Sequence, residues 1–135
     1  MNEEIATKLS WANRKLLLAQ LSHRSQVEFA LFCAKQNNNS NENVLKVIKA
    51  TEQWLEGKVS SAECRSIAIE AASTDDSAYC AAFAASDSET AAFAAFYSAT
   101  YAVHVAFAED IKVLPFSTKK KQVDFLRDLI NKEAA

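Results

Sequence analysis

The sequence predicts an all-α fold, a single compact bundle of about seven short antiparallel helices spanning residues 1–135. Three observations carry that expectation. Alanine fills 25 of the 135 positions, and alanine enters a helix without losing side-chain entropy. There is one glycine, Gly57, and one proline, Pro115. Sandwiches and barrels need many turns with positive φ, and phosphate-cradling loops need clustered glycines, so both are excluded. Apolar residues also recur at helical spacing through most of the chain. Half the residues are hydrophobic, 24% are charged and the net charge is −2, the make-up of a folded domain rather than a disordered segment.

The first helix is expected from about Glu3 to Gln20. Ile5, Leu9, Ala12, Leu16 and Ala19 share one face, and Trp11 and Leu18 form a second stripe. Ser25 to Glu28 reads as a capping box for a helix over about 26–37 with Phe29, Phe32 and Cys33 inward. The asparagine-rich run 37–41 is a loop. A third helix over about 42–56 buries Val44, Val47, Ile48, Thr51, Trp54 and Leu55, and Gly57 stands where a left-handed cap belongs. Ser60 to Glu63 is a second capping box, opening a helix to about Ala72. Thr74 to Asp76 start a fifth helix ending near Ala85, and Ser86 to Glu89 read as a third capping box. A link at about 113–118 containing Pro115 precedes the last helix, 119–132, with Val123, Leu126, Leu129 and Ile130 inward.

The sixth helix, about 87–110, is the expected centre. Phe93, Phe96, Tyr97, Thr100, Tyr101, His104 and Phe107 fall on one side, and Ala91, Ala95, Ala99, Ala102 and Ala106 on the other. The alanine side admits a close neighbour, and the aromatic side fills a wider gap in the core. The stretch 90–108 lacks charged residues. It is mostly alanine with acidic flanks, so a central helix of a soluble core is expected rather than a membrane span.

Catalytic and metal-binding signatures are absent from the sequence. The two histidines, His23 and His104, severely restrict metal and acid–base constellations. His104 reads as a hydrogen-bonded core residue, with a base beside Cys80 or Cys64 as the enzymatic rival. Cys33, Cys64 and Cys80 show no paired spacing. With a polar, acidic N-terminal segment unlike a signal peptide, they read as reduced thiols in the cytoplasm. Lys119 to Lys121 form the only basic run, too small for nucleic-acid binding by an acidic chain. No metal, cofactor or membrane is expected.

Asp75, Asp76, Asp87 and Glu89 sit at expected helix starts, where the dipole favours negative charge. Glu109 and Asp110 sit at a helix end, where it does not. If the fifth and sixth helices are antiparallel, Asp75, Asp76, Glu109 and Asp110 gather at one end of the bundle. Their counter-charge is then the Lys119–Lys121 triplet or a basic partner. Glu52 and Glu56 add an i, i+4 carboxylate pair that reads either as a solvated face or as part of the same surface.

Four segments, FALFCAKQ (29–36), QWLEGKVSSAECRSIAIEAA (53–72), CAAFAASDSETAAFAAFYSATYAVHVAFA (80–108) and KKKQVDFLRDLI (119–130), resemble an alanine-rich, all-helical immunity-protein family of bacterial polymorphic toxin and contact-dependent inhibition systems. The positional signals are Trp54 to Gly57 with Ser60 and Glu63, and Gln122 with Leu126; the family's alanine-paired helices also carry a histidine, here His104. Asn37 to Asn43 stand where that family carries an Arg/Pro-containing approach. The resemblance implies a cytoplasmic, non-enzymatic protein that neutralises a cognate toxin domain, often a nuclease, by one-to-one binding. The expected partner-facing residues are Asp75, Asp76, Glu109 and Asp110, with Glu52 and Glu56. The rival readings are a helical adaptor without a toxin and a small Cys/His enzyme.

Overall fold

The computed structural model describes residues 2–36, 41–71, 76–109 and 114–135, without the side chains at 76, 105–109, 114 and 115. Eight helices follow one another: α1 (Glu3–Ala12), α2 (Arg14–Ala19), α3 (His23–Lys35), α4 (Glu42–Leu55), α5 (Ser61–Ala71), α6 (Asp76–Ser86), α7 (Ala91–Glu109) and α8 (Leu114–Ala134). The eighth arises because the expected first helix breaks at Asn13. The Asn13 side-chain amide donates to Leu9 O (2.9 Å), and its own carbonyl accepts from Leu16 and Leu17 N–H. A short polar side chain thus competes with the helix for its backbone.

The α6–α7 pair is the closely packed centre. Ala81, Ala82, Ala84 and Ala85 of α6 and Ala91, Ala95 and Ala99 of α7 have no solvent exposure. Two serines hold the register. Ser77 Oγ donates to Ser98 O (2.8 Å), and Ser98 Oγ lies 2.8 Å from Ser77 O and 3.0 Å from Ala30 O. Both hydroxyls are wholly buried, and every polar atom of the node is satisfied, as a dry interior requires. α3 packs across both helices, α4 and α5 cover α6, and α2 and α8 cover α7. Phe29, Val27, Leu31 and Cys33 carry α3 into the core.

Helix ends are satisfied locally. Asn41 Oδ1 accepts from Asn43 and Val44 N–H, and Gly57 has φ +76° after α4. Ser60 and Glu63 form the expected reciprocal cap, Glu63 N to Ser60 Oγ at 3.1 Å and Ser60 N to Glu63 Oε1 at 3.4 Å. The last carbonyls of α6 are met from outside the helix. His23 Nε2 lies 2.6 Å from Ala84 O, and Trp54 Nε1 donates to Ser61 Oγ, which donates to Ala85 O.

Several boundaries and faces differ from expectation. α3 starts three residues early because Ser22 Oγ, not Ser25, accepts the capping N–H. The box at Ser86 does not form. Ser86 closes α6 by donating to Phe83 O, Asp87 takes Glu89 N–H in a turn, and α7 begins at Ala91. Pro115 lies in the first turn of α8 rather than in a link, where its missing N–H costs no helical bond. The start of the fifth helix at Thr74 and Asp75, and the asparagines at 37–40, lie outside the described residues.

The largest correction concerns α1 and α2. Ile5, Leu9 and Leu16, expected inward, are 49%, 48% and 66% exposed, while Thr7 and Arg14 are buried. Thr7, Arg14 and Leu18, with Trp11 partly covered between them, recur at helical spacing across Asn13, so the second stripe is the inward one and the whole expected face, Ala12 and Ala19 included, turns to solvent. The aromatic side of α7 is likewise only partly covered. Phe96 and Tyr101 are half-buried, but Phe93, Tyr97 and His104 are exposed. His104 is therefore not a core histidine; its ring meets Tyr101 edge-on at 6.3 Å. Among the described residues, no helix is long and apolar enough to cross a membrane.

The alanine seam predicts that Ala95→Leu is destabilising by about 1–3 kcal/mol, the usual cost of overpacking. Ala12→Leu, on an exposed position, should stay within about 0.5 kcal/mol of wild type. Urea denaturation of both variants checks the contrast.

A second prediction concerns pH. Hydrogen bonding from Ser22, its side chain first and then its backbone N–H (2.9 Å and 3.2 Å to the two oxygens), holds the Glu133 carboxyl below the usual value. A depressed carboxylate contributes stability above its unfolded pKa and loses it as pH falls through the folded one. Glu133→Gln should therefore lower Tm at pH 7, and the difference from wild type should vanish once pH falls below the folded value.

Candidate functional site

Of the six carboxylates expected to face a partner, only the side chains of Glu52 and Glu56 are among the described residues. Asp75 and Asp110 lie outside the described residues, as do the side chains of Asp76 and Glu109. Glu52 is paired with Lys35 (2.8 Å) across α3 and α4, and Glu56 with Lys58 (2.8 Å) at the end of α4. Lys120 of the basic triplet binds Glu3 (2.8 Å) and Asp124 (2.9 Å).

What the fold assembles among the described residues is a ladder of alternating cations and rings where α1, α2, α7 and α8 meet. Lys119 Nζ stands 4.3 Å from the centroid of Trp11. The Arg14 guanidinium carbon is 3.5 Å from the same ring and 4.0 Å from the ring of Phe96. Phe96 neighbours Phe93 at 6.4 Å and Tyr97 at 5.3 Å, edge-on. Lys15 Nζ then covers Phe93 at 4.4 Å. Each cation–ring contact is worth about 0.5–2 kcal/mol, more where water is excluded.

Arg14 is the unusual member. It is only 4% exposed, yet no carboxylate among the described residues lies within ion-pair distance of it. Its Nη1 donates to Trp11 O (2.9 Å) and its Nη2 to Thr100 Oγ1, while Nε is buried with no partner. Trp11 O belongs to the last turn of α1, where the helix dipole favours a cation. Carbonyl, hydroxyl and two ring faces thus replace a counter-ion. Desolvation lowers the Arg14 pKa to about 10. Burial also pushes the Lys119 ammonium below its usual value, and Arg14 and Lys8 add to that by repulsion.

The ladder is fastened from below by Gln122, 1% exposed on α8. Its Oε1 accepts from Trp11 Nε1 (2.8 Å), and its Nε2 donates to Gln36 Oε1 (3.0 Å) and Ala99 O (3.2 Å). One amide thereby joins α8 to α1, to the end of α3 and to α7. Leu126, one turn on, is also 1% exposed.

The thiols offer little nucleophilic character. Burial pushes the pKa of Cys33 and Cys64 up, and the Cys64 thiol points at Ala82 O (3.9 Å). Cys80, expected to be buried, is half-buried. Among the described residues no cluster of three or more His, Cys, Asp or Glu could hold a metal ion. An open groove of about 470 Å³ between α4 and α5 is lined by Lys46, Lys49, Gln53 and Glu70, among others.

The sequence carried a partial signal for the ladder. Trp11 and Arg14 stand at i, i+3, and the aromatic side of α7 was visible. The missing link was that the stripe of Trp11 and Leu18, on which Arg14 also lies, is the inward one. No protein-family model, no curated protein and no solved structure matches the chain.

Gln122→Met would leave Trp11 Nε1, the Gln36 carbonyl and Ala99 O short of a partner. The expected loss is about 2–4 kcal/mol in urea denaturation, since each orphaned buried group costs about 1–3 kcal/mol. Arg14→Met removes a desolvated charge while filling similar space, so its stability should stay within about 1 kcal/mol of wild type. A larger loss would mean that the guanidinium has a counter-ion.

Proposed function

We propose that this protein is an immunity protein that neutralises a cognate bacterial toxin domain by stoichiometric binding in the cytoplasm. Two things support the reading: the segments that resemble the immunity family, and one structural observation that carries it. α7 turns two large aromatic side chains outward, Phe93 at 46% and Tyr97 at 38% exposed, from a closely packed interior. Phe93 and Tyr97 touch (5.1 Å), and contiguous exposed aromatic surface rimmed by charge is characteristic of protein-binding sites. A prepacked bundle also loses little conformational entropy on docking.

The residues carrying the resemblance have structural work to do. Trp54, Gly57, Ser60 and Glu63 build the α4–α5 corner, and Gln122 and Leu126 are core. They support the fold of such a protein, and the partner is read from the surface.

The reading expects a large toxin-bearing polypeptide encoded immediately upstream, and the decisive experiment is co-expression with its C-terminal domain. Cells should survive that domain only when this chain is present, and the two should co-purify one to one. Survival without the chain, or no protection with it, overturns the proposal.

A further inference from the structure

We infer that the Lys119–Trp11–Arg14–Phe96–Phe93–Lys15 ladder is the partner-docking face, and that it fits a protein surface presenting carboxylates among apolar side chains. This rests on the reading above that the chain acts by binding a protein.

The charge pattern selects the occupant. Among the described residues, Lys8, Arg24, Lys35, Lys58 and Lys120 are each paired with a glutamate, while Lys46, Lys49, Arg65, Lys121, Arg127 and Lys132 have no ion pair. What sets the ladder apart is that three cations without a carboxylate in ion-pair distance, Arg14, Lys15 and Lys119, are gathered on neighbouring rings. A ring face attracts a cation without neutralising it, so three positive charges stand together on a net acidic chain. Burial lowers the Lys119 pKa, and repulsion from Arg14 and Lys8 adds to it.

The apolar rim selects between anionic partners. Ring faces of Trp11, Phe96 and Phe93 are already occupied by cations of this chain. Bases of a single-stranded nucleic acid need free ring faces to stack on. Carboxylates need only the outer side of Lys15 and Lys119, Arg14 being buried beneath them, and Phe93 and Tyr97 supply apolar area for their neighbours. An acidic protein face matches both halves of the surface.

One consequence separates this from docking through the acidic end. A toxin nuclease holds phosphates in a basic cleft, which would repel the ladder. The contact then falls on a part of the toxin away from its phosphate site.

The test titrates the folded chain with a short peptide of Asp and Glu interspersed with Leu, with its Lys-for-Asp/Glu counterpart, and with oligo-dT. Backbone amide NMR reads the site and calorimetry reads affinity. The acidic peptide should shift amides in 11–16, 93–101 and around 119. Its affinity should fall at least about tenfold in the Lys15→Glu/Lys119→Glu double variant, and again as NaCl rises from about 50 to about 500 mM. Circular dichroism should show that variant folded. Failure of the acidic peptide to bind, shifts elsewhere, unchanged affinity on charge reversal, equal binding of the basic peptide or tighter binding of oligo-dT overturns the inference.

The same double variant then enters the co-expression assay. If wild type protects and the variant protects equally well, the docking face is wrong and the toxin reading stands. If wild type fails to protect, the toxin reading falls and the peptide titration alone decides the face.

Discussion

Everything in this bundle depends on how closely α6 and α7 approach. Alanine at eight fully buried positions on the two helices leaves little more than methyl groups between backbones. Dispersion contacts are then dense and little side-chain entropy is lost on burial. Such a seam has few interlocking shapes, so alanines alone specify register weakly. The Ser77–Ser98 pair supplies the missing specification: a one-residue slip would strand two buried hydroxyls and Ala30 O. The longer side chains of α3, α4 and α8 then fill the remaining space around this fixed pair.

With the interior closed in this way, the chemistry of the surface is set by what the core could not accommodate. The aromatic side of α7 is wider than the short α2 can cover, so Phe96 and Tyr101 are half-buried while Phe93 and Tyr97 stay exposed. Arg14 enters the uncovered space and finds a carbonyl, a hydroxyl and two rings. A guanidinium suits that setting better than an ammonium, because it is planar and more weakly hydrated.

Much of the fold was legible from residue types and spacing, and the places where it was not are instructive. Val44, Val47, Ile48 and Thr51 read correctly because a single helical period holds through α4. The alanine side of α7 read correctly for the same reason, whereas its aromatic side was expected in the core and leaves Phe93, Tyr97 and His104 exposed. In α1 and α2 the face of Ile5, Leu9 and Leu16 is the more apolar, yet the stripe of Thr7, Arg14 and Leu18 is the buried one. Ser25 and Ser86 matched a capping pattern, but Ser22 caps α3 and Ser86 closes α6. The site was less legible than the fold. Lys119 and Trp11 lie far apart in sequence, and nothing in either segment alone shows that they meet. Glu52 and Glu56 were visible as a pair along α4, yet their lysine partners come from α3 and from the turn after Gly57.

The bond between Trp11 and Gln122 spans 111 positions, and Glu133 reaches back over the same interval to Ser22. During translation at about 5–20 residues per second, the opening helices wait on the order of ten seconds for those mates to be made. Through that interval the indole N–H and the end of α3 have only water to bond, and once α7 has emerged its apolar flank stands bare until α8 follows. Closure of that side therefore waits for α8. A nascent chain stalled before Gln122 would carry a formed centre with an open side, the state most exposed to proteases and to sticking to its neighbours.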